Sequence, residues 1–549
     1  MSDLLGMVLR TGAERGGQPA LIRAGDGPDR VWSWRDLCRD AVLARSAARR
    51  RGAEGPTAFL LRGNDPLSVP LLLGLMGGEG VLPVNPMLPA AACAGLLAAA
   101  GASELIFDDA DAGLQVKGPE IAAMTGGRVR AVPLSEAFEG DLAPPKPGVG
   151  DRLMIHTSGS TGTPRVALHD TRRLIGVMGG WSAPLFPEAL RLLSMAPLFT
   201  AAGLLGGVLF CARLGGTLIL PGGDGPAGAG FRDGLPSLLD RHRPNVLFSV
   251  PTALRALIPL ASRIPYSFDA LLSGGMLMSD RTGSEIARGF GAPLHHVYAS
   301  SEMSVMAAST YLPDGRVLGV NRPETTLVSI IDPDSGEVSD PGAGGEVHAS
   351  SPLLPASGPY LDPRPGDMSP HGFRTGDYGR LDPSGRLILT GRVSDLVKYN
   401  GRRVPIGPVE EAAAEITGLP CAAVQGPDPA TGEAITLFVE GDPPSDLTDR
   451  IRAVLPDPAC VPRRVIGLFG IPRVGLGKPD RSALSRMARA RTAEELLEAA
   501  GLEATVNVTG TLRDGFSLMV LTEATPGQVL AALSGLFQEV DVRPVPDAA

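Results

Sequence analysis

The stretch Thr157-Ser158-Gly159-Ser160-Thr161-Gly162-Thr163-Pro164-Arg165 is polar, lacks bulky side chains and follows the apolar run Leu153-Met154-Ile155. The apolar run predicts a short buried strand that ends in a glycine-rich loop. Glycine lets a ligand approach the backbone, and successive N–H groups with Ser and Thr hydroxyls form a concave anion site. Arg165 adds positive charge. We interpret the stretch as a loop for a triphosphate or pyrophosphate without the Walker A spacing; an ordinary solvated loop is the alternative.

The composition is typical of a globular, water-soluble protein that folds into more than one domain. The chain has 549 residues, of which 44% are hydrophobic and 20% are charged, so we expect two or more domains. The formal net charge is -9 and the pI is about 5.4, which argues against nucleic acid as the main partner. Aromatic residues make up only 4% of the chain, too few for a platform on which single strands stack.

Neither a disulfide framework nor a membrane anchor is indicated. The cysteines are scattered, form no C-x-x-C pair and are expected to be buried free thiols: Cys38, Cys93, Cys211, Cys421 and Cys460. The start of the chain lacks a basic segment followed by an apolar run, so no signal peptide is expected. The most apolar long stretch contains Arg213 and several Gly and Pro residues, which fits buried elements better than a membrane span. We expect a cytoplasmic protein without a membrane partner.

Strand and helix patterns alternate through the first part of the chain, and this predicts an α/β fold with mostly parallel sheets. From about Leu327 to Leu389 short strands separated by turns predict a small antiparallel β portion. A charged, glycine-rich stretch from Gly391 to Gly407 suggests a domain boundary. We therefore expect a large N-terminal domain (1–391), a hinge (392–395), a small α/β domain (396–488) and an appended module (490–549).

The appended module is predicted from its own alternation of helices and strands. The expected elements are a helix (Ala493 to Ala499), two strands (Thr505 to Leu512 and Phe516 to Leu521), a helix (Pro526 to Phe537) and a strand (Val540 to Val545). Such a module suits docking or dimerisation, so a homodimer is an open expectation. The run Gly515-Phe516-Ser517-Leu518-Met519 resembles a phosphopantetheine site only faintly, because no acidic residue or glycine directly precedes the serine.

Further motifs follow the loop in a fixed order. They are Pro197-Leu198-Phe199-Thr200, Ser273-Gly274-Gly275, Tyr298-Ala299-Ser300-Ser301-Glu302, Arg374-Thr375-Gly376-Asp377, the stretch from Gly391 to Lys398 with Gly401-Arg402-Arg403-Val404, and the stretch from Pro472 to Lys478. In this order and spacing the chain resembles the ANL superfamily of adenylate-forming enzymes. This superfamily comprises acyl- and aryl-CoA synthetases, the adenylation domains of peptide synthetases, and luciferases. The resemblance covers roughly residues 1–488.

The resemblance implies a large N-terminal domain, a small mobile C-terminal domain and a two-step reaction. A carboxylate attacks the α-phosphate of ATP, which yields an acyl-adenylate and pyrophosphate, and the acyl group then passes to a thiol. Charge builds up on phosphate oxygens, so positioning and cations carry the catalysis. ATP, Mg²⁺ and CoA are the implied cofactors, and a small carboxylic acid is the implied substrate.

Site roles follow from the resemblance, residue by residue. The loop residues Thr157, Ser158, Gly159, Ser160, Thr161 and Gly162, with Arg165, would hold the phosphates. Glu302 would bind Mg²⁺, since a hard cation prefers carboxylate oxygen. Nucleotide contacts are expected from Tyr298 on adenine, with Gly274, Gly275, Ala299, Ser300 and Ser301 around it, and from Asp377 and Arg392 at the ribose. Lys478 would bridge the carboxylate and the α-phosphate.

The chain also departs from the family pattern, and these departures bear on substrate and activity. Thr200 stands where peptide-synthetase domains carry an Asp for the α-ammonium and where CoA ligases more often carry a His, so an α-amino acid is not expected. The side chains of the expected pocket are small or apolar, which suits an aryl or alkyl acid: Thr200, Ala201, Ala202, Gly203, Met276, Ala299, Ser300 and Met303.

Two further departures lie outside the pocket: Arg165 replaces the usual Lys, and Ser394 occupies the hinge position. A carrier protein could replace CoA as acceptor, and a degenerate, non-catalytic nucleotide-binding protein is the remaining alternative. His156, His295 and His296 are expected to be packing residues.

Overall fold

The computed structural model describes most of the chain. It covers residues 4–25, 28–142, 152–157, 164–170, 174–176, 178, 181, 187, 189–222, 231–321, 326–352, 354–355, 357–399, 402–455, 457–474, 478–511, 515–533, 536–537 and 539–544. The predicted loop residues from Ser158 to Gly162 lie outside the described residues, as does the side chain of Lys478.

The described helices alternate with strands through the first part of the chain, as the sequence pattern predicts. They are α1 (Leu4–Arg15), α2 (Trp34–Arg50), α3 (Ser68–Leu75), α4 (Ala90–Ala100), α5 (Ala112–Met124), a π-helical segment (Ala202–Leu209) that continues as α6 (Phe210–Leu214), α7 (Phe231–His242), α8 (Pro251–Ala261), α9 (Asp280–Phe290), α10 (Gly407–Thr417), α11 (Leu447–Val454), α12 (Arg481–Ala499) and α13 (Pro526–Ala532). Helix α2 begins with a capping box: the Ser33 hydroxyl accepts the N–H of Asp36, and the Asp36 carboxylate accepts the N–H of Ser33.

A nine-stranded sheet forms the larger half of the N-terminal part. Its strands in spatial order are β15 (Val317–Asn321), β14 (Ser304–Tyr311), β13 (Leu294–Ser300), β12 (Ala270–Gly274), β11 (Val246–Ser249), β9 (Arg191–Ser194), β10 (Thr217–Pro221), β1 (Pro19–Ala24) and β2 (Arg30–Ser33). The strands from β13 to β1 run parallel, and antiparallel pairs close both edges. This confirms the predicted parallel sheet, although the β14–β15 hairpin was not expected from the sequence.

A second, six-stranded sheet carries the phosphate-loop candidate. Its spatial order is β6 (Arg130–Pro133), β5 (Glu104–Phe107), β3 (Thr57–Leu60), β4 (Val81–Pro83), β7 (Arg152–His156) and β8 (Val166–Asp170). All neighbours are parallel except β7 and β8, which pair antiparallel. The stretch from Thr157 to Arg165 is therefore the connection of a β-hairpin, and the sequence pattern did not indicate its second strand.

The predicted antiparallel β portion is also present. A five-stranded sheet contains β16 (Leu327–Ile331), β17 (Gly345–Ser350), β18 (Met368–Ser369), β19 (Gly372–Leu381) and β20 (Leu387–Arg392). Every strand pair in it is antiparallel. Short strands with turns between them favour this arrangement, because hairpins need no crossover helix.

The remaining strands form smaller sheets after the predicted hinge. They are β21 (Leu396–Tyr399) with β22 (Arg402–Pro405), the sheet β23 (Cys421–Asp428), β24 (Gly432–Glu440) and β25 (Arg464–Leu468), the pair β26 (Arg473–Val474) with β27 (Lys478–Pro479), and the sheet β28 (Ala504–Thr511), β29 (Gly515–Thr522) and β30 (Glu539–Arg543). Helix α12 joins two cores: Leu484 and Ala488 pack with β23 and β24, whereas Ala493 and Leu497 pack with β28 and β29. The predicted division near residue 489 thus falls inside one helix, and the domain boundaries stay a prediction.

Among the described residues, none of the helices combines the length and the apolar character that crossing a membrane requires. The described cysteines are all free, as the sequence predicts. Cys38, Cys93 and Cys211 are buried, but Cys421 and Cys460 are only partly buried, so the prediction of burial is wrong for these two.

Two helix glycines allow a paired test of packing. In α3, a Cβ on Gly74 would overlap the backbone carbonyl of Ala41 in α2, whereas a Cβ on Gly95 in α4 would meet nothing within 4 Å. We expect Gly74→Ala to lower the free energy of unfolding by about 1–3 kcal/mol or more, because backbone cannot move aside cheaply. Gly95→Ala should raise it by up to about 1 kcal/mol. Thermal and denaturant unfolding of both variants would check this, and equal shifts of the same sign would contradict the α2–α3 contact.

Candidate active site

The predicted site residues come together where three sheets meet. The β7–β8 hairpin of the six-stranded sheet contributes Thr157 and Arg165, and the β13–β14 hairpin of the nine-stranded sheet contributes Tyr298 and Glu302. Strand β19 of the five-stranded sheet contributes Asp377. Ligands of α/β proteins bind beyond the carboxyl ends of parallel strands, and β7, β12 and β13 all end here.

The ends of the glycine-rich loop are fixed by backbone pairing. The Thr157 N–H donates to the carbonyl of Arg165 at 2.8 Å, and the Arg165 N–H donates to the Thr157 hydroxyl at 3.4 Å. Both residues continue the β7–β8 ladder, in which His156 pairs with Val166. The loop between them is therefore presented from a rigid frame, which is what a phosphate-binding loop needs.

Glu302 lies in the tight turn that joins β13 to β14. The Ser300 hydroxyl accepts the N–H of Met303 at 3.1 Å and closes the turn, while Ser304 has a φ of 60°, which is rare for a residue other than glycine. The Tyr360 hydroxyl donates to Glu302 Oε1 at 2.5 Å. Burial and the adjacent Glu302 charge raise the pKa of Tyr360 far above its ordinary value, so Tyr360 stays protonated and keeps donating.

His169 fixes the backbone next to Glu302. Its Nε2 lies 2.6 Å from the carbonyl oxygen of Ser301, and because a carbonyl only accepts, Nε2 is the donor. Burial lowers the pKa of His169, so the ring is neutral. This bond connects strand β8 to the β13–β14 turn and thus joins the two large sheets at the site. The sequence analysis did not identify His169.

Arg165 lies close to the site but is already paired with acidic groups. Its Nη1 and Nη2 donate to the two carboxylate oxygens of Asp367 at 2.9 and 2.8 Å. Its Nε lies 3.3 Å from Asp362 Oδ1, and Nη2 donates to the Asp362 carbonyl at 2.6 Å. The guanidinium carbon lies 3.5 Å from the ring centroid of Tyr360, and only 11% of the side chain is exposed. The hydrogen bond that Arg165 donates to Asp367 in particular raises the pKa of Arg165, so the charge is permanent.

The amino acids expected to contact adenine and ribose form one hydrogen-bonded group. The Tyr298 hydroxyl donates to Asp377 Oδ2 at 2.6 Å, and Arg392 Nε donates to Asp377 Oδ1 at 2.8 Å. Burial, followed by the Asp377 charge, raises the pKa of Tyr298 well above its ordinary value. A carboxylate can accept several hydrogen bonds at once, because each of its oxygens has two lone pairs.

The diglycine after β12 meets two different steric demands. A Cβ on Gly274 would lie 2.9 Å from Val297 Cγ2 and 3.0 Å from the Val297 carbonyl, so only glycine fits between β12 and β13. Gly275 has a φ of 80°, and no atom lies within 4 Å of its Cβ position, so the backbone turns away there and stays open to a flat ring. Ala299 and Gly275 are both exposed at this edge.

The expected substrate-pocket residues divide into two groups. The Thr200 hydroxyl donates to the Pro197 carbonyl at 2.7 Å and accepts the Gly203 N–H at 3.2 Å, so it caps the π-helical segment. Met276 is 39% exposed beyond β12. Met303, in contrast, has no exposed surface and packs with Met306, Ala349 and Phe373. A fully buried side chain has no surface to offer a ligand, so the structure places Met303 in a core beneath the turn.

The hinge candidate Ser394 lies in a short turn, and Lys478 lies in the β26–β27 strand pair. Ser394 is exposed in a 3₁₀ turn (Val393–Asp395), and its hydroxyl donates to Asp395 Oδ1 at 3.0 Å. Asp395 also pairs with Arg481, the first residue of α12, at 3.2 Å. Lys478 begins β27 and pairs through its backbone with Val474 of β26.

The histidines behave as the sequence predicts. His156 Nε2 accepts the N–H of Asn85 at 3.2 Å, and His295 Nδ1 lies 2.9 Å from the Thr310 hydroxyl. Burial lowers the pKa of His156, His295 and His296 to about 4 in each case. All three rings are therefore neutral near pH 7 and pack at the strand ends.

The residues present fit a magnesium ion that arrives with a nucleotide. Within the described ranges, no group of three or more His, Cys, Asp or Glu side chains could hold a metal by protein ligands alone. Mg²⁺ commonly binds through one or two carboxylates together with substrate phosphates and water. Glu302, held on one oxygen by Tyr360, is such a single carboxylate.

Comparisons with known proteins agree with this arrangement. The sequence model of the AMP-binding enzyme family matches residues 9–357. Sulfoacetate–CoA ligase of Cupriavidus necator is 27% identical over 453 residues, covering 76% of this chain and 86% of that ligase. Oxalate–CoA ligase of Saccharomyces cerevisiae is 30% identical over 47% of each protein. The probable non-canonical nonribosomal peptide synthetase CymA of Salinispora arenicola is 29% identical over 79% of this chain, which spans only 6% of CymA.

Solved structures show the same fold. The amide bond synthetase McbA from Marinactinospora thermotolerans superimposes with a TM-score of 0.73 at 23% identity, covering 88% of this chain and 99% of that one. The anthranilate–CoA ligase AuaEII, solved with anthranoyl-AMP, superimposes with the same TM-score of 0.73 at 18% identity. The family match covers more than half of the chain, and the chain therefore belongs to the AMP-binding enzymes of the ANL superfamily of adenylate-forming ligases.

Proposed function

We propose that this protein activates an aryl or alkyl carboxylic acid with ATP and transfers the acyl group to a thiol, most directly that of CoA. In the first step a carboxylate oxygen of the acid attacks the α-phosphorus of ATP, the bond to the bridging oxygen breaks, and pyrophosphate leaves. In the second step a thiolate attacks the acyl carbon, a thioester forms, and AMP leaves. Membership of the family supports the acid activation. The substrate class and the acceptor are our own inference.

The observation that best supports this proposal is the convergence of Glu302, Asp377 and the ends of the 157–165 loop. These groups come from three sheets and are joined by bonds such as Tyr298 to Asp377 at 2.6 Å and His169 to Ser301 at 2.6 Å. Phosphoryl transfer depends on positioning and on stabilising charge rather than on a protein nucleophile. A rigid nucleotide-binding site therefore suits this reaction.

Each residue would act on a different part of the nucleotide. Asp377, supported by Arg392, would accept the two ribose hydroxyls, and Tyr298 would pack against adenine above the open backbone of Gly275. Glu302 would hold Mg²⁺, which when bound neutralises phosphate charge. Lys478 would donate to the oxygens between the acid and the α-phosphate.

The substrate class rests on the residues after β9. Thr200 is uncharged, and its hydroxyl is engaged in capping the π-helical segment. Ala201 and Ala202 follow it, and Met276 is the exposed side chain beyond β12. None of these four side chains can neutralise an α-ammonium or a second carboxylate. We therefore infer a monocarboxylic acid with an apolar body.

Acid-dependent exchange of labelled pyrophosphate into ATP, over a panel of aryl and alkyl acids, tests the first step. Mass spectrometry of the same mixtures, with and without CoA, separates acyl-AMP from acyl-CoA. Exchange with acyl-CoA supports the whole proposal, and exchange with acyl-AMP alone supports a carrier-protein acceptor. A folded protein that binds ATP but exchanges with no acid would point to a non-catalytic nucleotide-binding protein.

Lys478→Ala should lower the rate of acid-dependent exchange by at least about a hundredfold, because the variant loses a positive charge aligned with the developing negative charge. Lys117→Ala is the matched control: the Lys117 ammonium donates to the carbonyls of Pro86 and Leu88 at 2.7 and 2.5 Å and has no role in the proposed reaction. That control should keep its exchange rate when assayed below its melting temperature. Full exchange by the Lys478 variant would remove Lys478 from the proposed mechanism.

Asp377→Ala should raise the KM for ATP by about 10- to 150-fold, since hydrogen bonds to a charged group contribute about 1.5–3 kcal/mol. The variant also leaves Arg392 without its carboxylate partner. Asp340→Ala, in the exposed segment between β16 and β17, is the control and should leave the KM unchanged. The two values can be measured in the same exchange assay, and an unaltered KM in the Asp377 variant would contradict the ribose assignment.

A further inference from the structure

Arg165 replaces the lysine expected at the end of the glycine-rich loop, and its surroundings differ from those of a free phosphate ligand. Its guanidinium is paired in a fork with both oxygens of Asp367 and also contacts Asp362. Arg364 joins the same group, with its backbone N–H on Asp367 at 2.7 Å and its Nη2 on Asp362 at 3.1 Å. Two arginines and two aspartates give this cluster no net charge, so it offers phosphate no excess positive potential.

The other contact of Arg165 leads directly to Glu302. The guanidinium carbon lies 3.5 Å from the centroid of the Tyr360 ring, and the Tyr360 hydroxyl donates to Glu302 Oε1 at 2.5 Å. Phe373 meets the Tyr360 ring edge-on, with centroids 5.9 Å apart. The ring is thus held between a cation and an aromatic edge, which leaves its hydroxyl one direction in which to point.

The backbone of Tyr360 is fixed by the same hairpin that carries Arg165. Strand β8 pairs with the segment around Tyr360: Leu168 N–H donates to the Pro359 carbonyl at 2.8 Å, and Leu361 N–H donates to the Val166 carbonyl at 3.0 Å. Strand β8 therefore positions Tyr360 by backbone pairing, while Arg165 fixes the ring. Both effects converge on the orientation of the Glu302 carboxylate.

We propose that Arg165 is a positioning residue that fixes Tyr360, whose hydroxyl orients Glu302 toward the cation of a bound metal–nucleotide. This inference rests on the proposed function, in which Glu302 holds Mg²⁺. It reassigns Arg165 from the phosphate role that the sequence suggested. Arginine is needed here because a planar guanidinium can fork onto Asp367 and stack on Tyr360 at once, whereas the ammonium of lysine can do neither in the same geometry.

The experiment measures metal affinity and nucleotide affinity separately on the full chain. Mn²⁺ binding to the protein with a non-hydrolysable ATP analogue is followed by electron paramagnetic resonance of the free ion. Analogue binding without metal, in chelator, is followed by calorimetry. The variants are Arg165→Lys, which keeps the charge, Tyr360→Phe, which removes one hydroxyl, and the double variant. Arg316→Lys is the matched control, because Arg316 is 69% exposed and pairs with Asp314 in the same turn.

We expect Arg165→Lys and Tyr360→Phe each to weaken Mn²⁺ affinity by about three- to tenfold, since a hydrogen bond to a charged group is lost or misdirected. Metal-free analogue affinity should change less than about twofold. The double variant should be no weaker for Mn²⁺ than Tyr360→Phe, because Arg165 acts through that hydroxyl. Melting temperatures show whether each variant is folded, and Tyr360→Phe is conservative enough to keep the core.

Three results would overturn the inference. If Arg165→Lys binds Mn²⁺ as the parent protein does while Arg165→Ala loses metal-free analogue affinity, Arg165 is a phosphate ligand. If Tyr360→Phe leaves Mn²⁺ affinity unchanged, the link from Tyr360 to Glu302 has no function, although the proposed reaction still stands. If the parent protein binds neither the analogue nor Mn²⁺, the proposed function fails, and the inference fails with it.

Discussion

The hydrogen bond from Tyr360 to Glu302 is the constraint on which the candidate site depends. Glu302 lies in a hairpin turn, where the backbone alone leaves a long side chain free to rotate, and the 2.5 Å bond from Tyr360 restricts it. His169 of β8 fixes the neighbouring Ser301 carbonyl. Tyr360 and His169 thus fix the carboxylate and the backbone beside it from two segments that are distant from Glu302 in sequence.

The neutral cluster around Arg165 changes where positive charge for the nucleotide must come from. With Arg165 paired to Asp367 and Asp362, the proposed reaction would draw its positive charge from other groups: a metal held by Glu302, and Lys478 of the small α/β part. The metal would neutralise phosphate charge when bound, and Lys478 would act on the α-phosphate during the reaction. This division suits a reaction that must also release pyrophosphate.

Local sequence patterns predicted the elements of the fold well, because they report burial and turn chemistry. The diglycine at Gly274 was recognisable from residue type and spacing, and the structure gives it a local cause. The order of the motifs also identified Tyr298, Glu302 and Asp377 as neighbours. What these predictions share is that each depends on residues close in sequence or on a family pattern, rather than on a contact between distant segments.

Several of the contacts that the sequence did not indicate are long-range and polar. Asp367 meets Arg165 across 202 positions, and His169 meets Ser301 across 132; neither pair has a periodicity or a motif that marks it. Tyr360 lies in a segment rich in proline and glycine, which predicts turns but not which strand they pair with. The Arg at 165 could be noticed only as a departure from a lysine pattern, and its reason is physical: two aspartates in the 362–367 segment and one aromatic face create a site that only a planar, forked cation fills.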